Sequence, residues 1–243
     1  ADYSYNYKYG TTTVKTVSVM NYAELDDATD AETGNELRAD TLDAAEILLS
    51  RMVTSDSYRA DTIDDCDTST YLNRTSTTFF ANDKGDETAD YSYNYKYGTT
   101  TVKTVSTMGY AELDDADDSE TGMIRRAGEL DAAEILLSRM VISDSYRADS
   151  LADCDTTGFL NRTSTTFFAN DKGDETADYS YNYKYGTTTV KTVSTMGYAE
   201  LDDADLETGA VRRAGELDAA EILLSRMVIS DSYRADSLAD CDT

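Results

Sequence analysis

Tyr3, Tyr5, Tyr7 and Tyr9 alternate with Ser4, Asn6 and Lys8, the period of two in which successive side chains of a strand face opposite sides of a sheet. Gly10 interrupts the run and residues 11–18 resume it with β-branched side chains, so the pattern predicts a β-hairpin turning near Gly10. Asn21 is replaced by Gly109 and Gly197 in equivalent segments. That exchange predicts a turn with a residue at positive φ, which Asn and Gly both tolerate. The stretch AELDDATDAETG that follows is acidic and reads as an exposed loop. From Leu42 the period changes: Ala45, Leu48, Leu49, Met52 and Val53 fall on one helical face, with Asp43, Glu46, Ser50 and Arg51 elsewhere, which predicts the main helix. Ile63 and Cys66, spaced i, i+3, predict a second short helix over residues 57–66, with Ser and Asp available as caps.

The whole pattern recurs. ADYSYNYKYGTTTVKTVS opens at Ala1, Ala89 and Ala177, 88 residues apart each time, and AEILLSRMV recurs at Ala45, Ala133 and Ala220, where the last acidic loop is one residue shorter. A length change of this kind marks a surface loop. The organisation is therefore three copies, 1–67, 89–155 and 177–243, separated by connectors 68–88 and 156–176. The first connector carries Tyr71, Leu72, Phe79 and Phe80 among threonines, a composition that predicts an ordered strand ending in a polar turn. A period of this length exceeds that of common solenoids. The expected fold class is α+β: three tandem copies of a small unit, each an antiparallel hairpin or sheet packed by one or two short helices, joined by ordered strand-like connectors.

Charge narrows the partners. Forty-eight Asp plus Glu against 21 Lys plus Arg give a formal net charge of -27. Such a polyanion repels phosphate, so nucleic acid is excluded as a partner and anionic membrane surfaces are disfavoured. No stretch approaches the ~18 to 20 apolar residues of a membrane span. An acidic, threonine-rich surface suits a medium whose salt screens self-repulsion. The chain opens on Ala1 without Met, and the expectation is that a leader has been removed and that the protein is extracellular or at a cell surface.

Candidate chemistry is sparse. The chain has no His, which removes His-dependent nucleophilic, acid-base and zinc chemistry. Each copy has one cysteine, Cys66, Cys154 and Cys241, flanked by aspartates that raise a thiol pKa rather than lower it. These thiols read as small buried hydrophobes or as attachment points for a thiol-linked prosthetic group. Asp115, Asp117 and Glu120 form a candidate Ca2+ loop that departs from an EF-hand, placing Glu120 at the sixth position and Arg126 at the twelfth. Asn73 and Asn161 open NRT tripeptides, the acceptor pattern for N-glycosylation in a secretory system. The Tyr3, Tyr5, Tyr7 and Tyr9 stripe reads as a packed sheet face or as an aromatic platform for a partner.

These readings point to a non-enzymatic, acidic structural protein of an extracellular or cell-surface assembly, without a resident cofactor. Two other readings are a pigment or cofactor carrier with one attachment Cys per copy, and a calcium-dependent adhesion module. Counting strands favours assembly: three copies are served by two connectors, so one copy lacks a strand. Strand addition from another copy, with Ala1 to Tyr9 as donor, predicts head-to-tail self-association into a filament.

Overall fold

The computed structural model describes residues 1–8, 10–26, 29–114, 116–202 and 206–241. Strands dominate it, with 49% of residues in strands and 13% in helical turns. The first copy contains β1 (Tyr3–Tyr7), β2 (Val14–Leu25), β3 (Glu32–Arg38) and β4 (Met52–Tyr58), and β5 (Arg74–Ala81) follows in the connector. The same sequence of strands continues as β6 (Thr88–Tyr95), β7 (Val102–Leu113), β8 (Glu120–Arg125), β9 (Met140–Tyr146) and β10 (Arg162–Ala169). It ends with β11 (Thr176–Tyr183), β12 (Val190–Leu201), β13 (Glu207–Arg213) and β14 (Met227–Tyr233). Three short helices, α1 (Glu46–Leu49), α2 (Ala132–Leu137) and α3 (Ala219–Leu224), are the α-helical content among the described residues. Chain contacts divide the protein into two compact units, one of Ala1–Ser106, Ala127–Ala132 and Ala148–Leu151, the other of Thr107–Arg126, Ala133–Arg147 and the chain from Ala152 on.

The first unit shows how the sequence builds the sheet. β1 and β2 form the hairpin that the tyrosine alternation predicts, with Tyr5 opposite Val17 and Gly10 at φ 68° in the turn, a value that glycine alone adopts without penalty. β2 is long enough to serve three neighbours. Its Val17 faces Tyr5 of β1 and Tyr58 of β4, and its Asn21 faces Arg38 of β3 and Thr54 of β4, so β1 and β3 share one edge and β4 takes the other. β5 then pairs antiparallel with β4 and, on its other side, with β6. In the second unit β9, β10, β11 and β12 are joined in the same antiparallel order, with β13 and β14 on β12. The connectors are thus sheet strands held by the copy before and the copy after.

Apolar clusters lie on both faces of the strands. Val17, Val19, Tyr58 and Ala60 are buried together, with Ile63 and Cys66 of the following 3-10 turn packed on them. The alternate residues face the other way, and in the third copy Tyr198 packs with Ala214, Leu217 and Ile222 of the segment leading through α3. Threonine, serine and single aspartates occupy many inward positions, among them Thr54, Asp56 and Thr77.

The structure corrects the α+β expectation: the chain is mostly antiparallel β-sheet. The predicted main helix is a turn of four to six residues, because Met52 and Val53 belong to β4 and Arg51 already accepts the Ala23 N–H at 3.0 Å. Strand pairing across the sheet overrides the helical spacing. Leu48 and Leu49, expected on the packed face, are 73% and 54% exposed. The second expected helix is a 3-10 turn at Ile63–Asp65, since residues 57 and 58 complete β4. Part of the acidic loop is a strand, β3, whose first five residues are all exposed. A strand wet on both faces carries no alternation to detect.

The turn expected at Asn21, Gly109 and Gly197 is also corrected, for all three lie inside long strands. Their exchange has a packing cause. In the first copy Asn21 Nδ2 donates to Thr54 Oγ1 at 3.0 Å and Thr54 Oγ1 donates to Glu36 Oε2 at 2.7 Å. The equivalents of Asn21, Glu36 and Thr54 are Gly109, Ile124 and Ile142 in the second copy and Gly197, Val211 and Ile229 in the third. A Cβ at Gly109 would lie 2.6 Å from Ile124 Cγ2 and 2.8 Å from Ile142 Cγ1, and one at Gly197 would lie 2.5 Å from Val211 and 2.6 Å from Ile229. A polar triad has been exchanged as a set for two branched apolar side chains that fill the place of the third.

Candidate functional site

The most elaborate side-chain arrangement lies where a connector strand meets its two neighbours. Alternation along β4 turns Asp56 and Tyr58 inward. Across from them β5 presents Arg74 and Thr77. Arg74 Nη1 donates to Asp56 Oδ1 at 3.1 Å, the Thr77 hydroxyl donates to the same carboxylate, and Tyr58 donates to Asp56 Oδ2 at 3.5 Å. The Arg74 guanidinium also lies 4.3 Å from the ring centres of both Tyr71 and Tyr95, and the Tyr95 hydroxyl donates to Thr77 at 3.1 Å. Stacking between two rings leaves the guanidinium edge free for the carboxylate, which a lysine could not reproduce. Burial and the adjacent Asp56 raise the Tyr58 phenol well above its ordinary value.

The same joint is built again at β10. Arg162 reaches Asp144 at 3.4 Å and stacks on Phe159 and Tyr183 at 4.2 and 4.3 Å, while Thr165 donates to Asp144 and Tyr183 to Thr165. Aromatic contacts extend it, with Phe79 stacked on Tyr91 at 4.4 Å and Phe167 on Tyr179 at 4.5 Å. Each connector arginine therefore ties an aspartate of the preceding copy to a tyrosine of the following one. In each joint the carboxylate is paired with a guanidinium and accepts from hydroxyl groups.

Two strands show half of this joint. β14 has the same seven residues as β9, MVISDSY. β9 carries β10, whereas β14 pairs with β12 alone among the described strands. Tyr146 is 1% exposed, while Met227 and Ile229 of β14 are 58% and 44% exposed. β1 repeats the tyrosines of β6 and β11 but among the described strands pairs with β2 alone. Its Tyr7, the counterpart of Tyr95 and Tyr183, is 54% exposed.

The residues singled out by sequence are placed as follows. Tyr3, Tyr5 and Tyr7 share one face of β1, with Tyr3 and Tyr5 edge to face at 5.4 Å; Tyr9 lies outside the described residues. Cys66, Cys154 and Cys241 form no disulfide among the described residues, and the last two are buried. Cys66 Sγ donates to the Thr62 carbonyl at 3.6 Å and Cys241 Sγ to that of Ser237 at 3.8 Å. Asp115 lies outside the described residues. Asp117 accepts the Ser119 N–H at 3.1 Å, and Glu120 is paired with Arg139 at 2.6 Å. The NRT asparagines hold their own loops: Asn73 Nδ2 donates to the Asp65 carbonyl at 2.8 Å and its Oδ1 accepts from Asp67 N, and Asn161 does the same with Asp153 and Asp155. A glycan on either nitrogen would compete with that hydrogen bond.

Burial pushes the Cys66 and Cys154 thiols up to about 11, from an ordinary value of 9.0, and the neighbouring Asp65 and Asp153 add to the shift. A folded pKa above the unfolded one means that the native chain keeps a proton the unfolded chain has lost. The resulting stability is complete below about pH 9 and declines toward about pH 11. Urea midpoints measured across that window should fall more steeply in the parent than in a Cys66→Ala/Cys154→Ala variant. Equal slopes would remove the thiols from the alkaline response.

Sequence reasoning missed the arginine joint, although its signal was in view. The NRT tripeptide drew attention to its asparagine, while its arginine is a lone cation opening an otherwise neutral strand, RTSTTFFA. An isolated charge in such a strand calls for a buried partner. No family model, no curated protein and no solved structure matches the chain.

Proposed function

We propose that the chain is a non-enzymatic structural protein that self-assembles through its uncovered strand edges into a filament at a cell surface or outside the cell. The observation that carries this reading is that sequences covered within the chain recur uncovered. Among the described strands, MVISDSY has a partner on each side as β9 and on one side as β14, and the tyrosine strand has two partners as β6 and β11 and one as β1. An open edge offers unpaired N–H and C=O groups that template another strand. Two different edges in one chain make a heterologous contact, which propagates as a ring or an open filament. The main inward carboxylates, Asp56, Asp144 and Asp178, each hold an arginine, a structural rather than a catalytic use. With a net charge of -27, copies repel one another, so association should strengthen as salt shortens the screening length.

Sedimentation velocity over a range of concentration and salt, with electron microscopy of the sedimenting material, tests the proposal. The expected result is a salt-promoted series of oligomers that is lost on deletion of residues 1–9, with the later copies still folded. A monomer at every concentration and salt would overturn it.

A further inference from the structure

The middle copy has a neighbouring strand on each side, β5 before it and β10 after it, so the groups it exposes do not come from a chain end. Two of them lie at opposite ends of β9. Ahead of that strand, α2 presents the exposed Leu136 and Leu137. Beyond it, Arg147 lies 4.7 Å from the ring centre of Tyr185, which is 65% exposed. The first copy repeats both groups about β4. Leu48 and Leu49 are exposed on α1 ahead of it, and Arg59 beyond it lies 4.8 Å from the ring centre of Tyr97, 68% exposed.

The two ends differ in chemistry. The tyrosine end is a fixed, basic turn: Lys96 N donates to the Thr101 carbonyl at 2.9 Å and Gly98 N to the Leu72 carbonyl at 3.1 Å, and Lys184 and Gly186 repeat these bonds to Thr189 and Leu160 at 3.0 Å. Among the described residues, Arg59, Lys96, Arg147 and Lys184 have no ion pair. The leucine end is hollow and acidic. Leu25 and Leu49, with Asp30, Glu32, Asp83 and Lys84, line a recess of about 330 Å3. Arg51 holds Glu32 at 2.7 Å and Lys84 donates to the Ile47 carbonyl, while Asp30 and Asp83 have no ion pair among the described residues. Asp118 and Asp171 are their counterparts in the second copy.

We propose that the tyrosine turn of one chain seats on the leucine helix of a second copy, with Tyr97 or Tyr185 against the leucines and the adjoining Lys96 or Lys184 against the aspartates. An exposed ring flanked by cations and exposed leucines rimmed by carboxylates are complementary in both polarity and charge, and this chain supplies both halves. A turn already held by backbone hydrogen bonds loses little freedom on docking. The chain's charge of -27 opposes approach at long range, but pairs at contact lie inside the screening length of about 10 Å at 0.1 M salt and outlast that repulsion when salt is added. Because the two surfaces differ, the contact is heterologous. It joins chains along the strand direction, whereas edge pairing joins them across it. This inference rests on the reading that the chains self-associate, but not on their strand edges.

Two variants of the full chain test the contact from its two sides. Leu48→Ser, Leu136→Ser and Leu223→Ser together alter the helices, and Lys8→Glu, Lys96→Glu and Lys184→Glu together alter the turns. All six side chains are exposed, so both variants keep the fold, which near-ultraviolet circular dichroism checks. Each should weaken self-association in sedimentation velocity by about tenfold or more, the scale of one lost leucine burial. Adding Asp83→Lys and Asp171→Lys to the glutamate variant exchanges the sign on both sides and should recover a share of the loss. Oxidative footprinting at rising protein concentration should protect Tyr97, Tyr185, Leu48 and Leu136. Association unchanged in both variants, or no protection of those tyrosines, would overturn the inference; if association were still lost on deletion of residues 1–9, the strand-edge reading would stand. A chain lacking residues 1–9 that still associates, and no longer does so with the three serines, would support the end-on contact and overturn the strand edges. A monomer at every concentration and salt would overturn both.

Discussion

Replacing Arg162 by alanine is expected to lower the stability of the second unit by about 3 kcal/mol, the cost of leaving a buried carboxylate without its cation. The loss has two parts. Asp144, 6% exposed, keeps only its hydrogen bonds from Thr165 and Tyr146, and the Phe159 and Tyr183 rings lose the guanidinium between them. Arg162→Lys should recover little, because an ammonium cannot stack between two rings and also present a planar edge to the carboxylate. Adding Asp144→Asn to Arg162→Ala should recover a larger share, since it removes the stranded charge. The measurement is urea denaturation followed by near-ultraviolet circular dichroism, which reports the tyrosines of the joint. A shift below about 1 kcal/mol for Arg162→Ala, or equal stability of the lysine and arginine forms, would show that the pair behaves as a surface ion pair.

The second large effect concerns the coupled triad. Gly109→Asn alone is expected to destabilise by about 1 to 3 kcal/mol, because the new side chain meets Ile124 and Ile142 and strains a filled site. The triple change Gly109→Asn, Ile124→Glu and Ile142→Thr rebuilds the polar set of the first copy and should regain most of that loss. The signature is non-additivity: the triple variant should be more stable than the sum of its singles by more than about 1 kcal/mol. Simple additivity would mean that the three positions drifted independently and that the close contacts at Gly109 are relieved without cost.

These two sites also mark the limits of reading the sequence. The threefold repeat, the hairpin at Gly10 and the strand character of residues 74–81 were visible because each leaves a local trace, a recurrence or an alternation. The joint was not, because Arg74 and Thr77 lie 18 and 21 positions beyond Asp56 and meet it only through strand pairing. The apolar spacing from Leu42 was real but misleading, since the second half of that stretch is drawn into β4 by pairing with β2. Gly109 suggested a turn because glycine usually signals backbone freedom, whereas here it signals the absence of room for a side chain. β3, exposed on both faces over its first five residues, offered no pattern at all. The tyrosine alternation stands out in the sequence, but what distinguishes Tyr7 from Tyr95 is the strand beside it, which sequence identity between copies conceals.

A connector strand held equally by two copies has a consequence for how such a chain changes over generations. Removing or inserting one full period between Arg74 and Arg162 returns the same neighbours at the joint, because the residues on either side of the cut are those the joint already uses. Unequal recombination between copies can therefore lengthen or shorten the protein in whole 88-residue steps without inventing a new interface. A cut that removes the stretch carrying Arg74 but keeps Asp56 strands the carboxylate, whereas the one-residue loss in the third acidic loop touches no joint. The joint acts as a reading-frame check at the level of folding, tolerant of copy number and intolerant of phase.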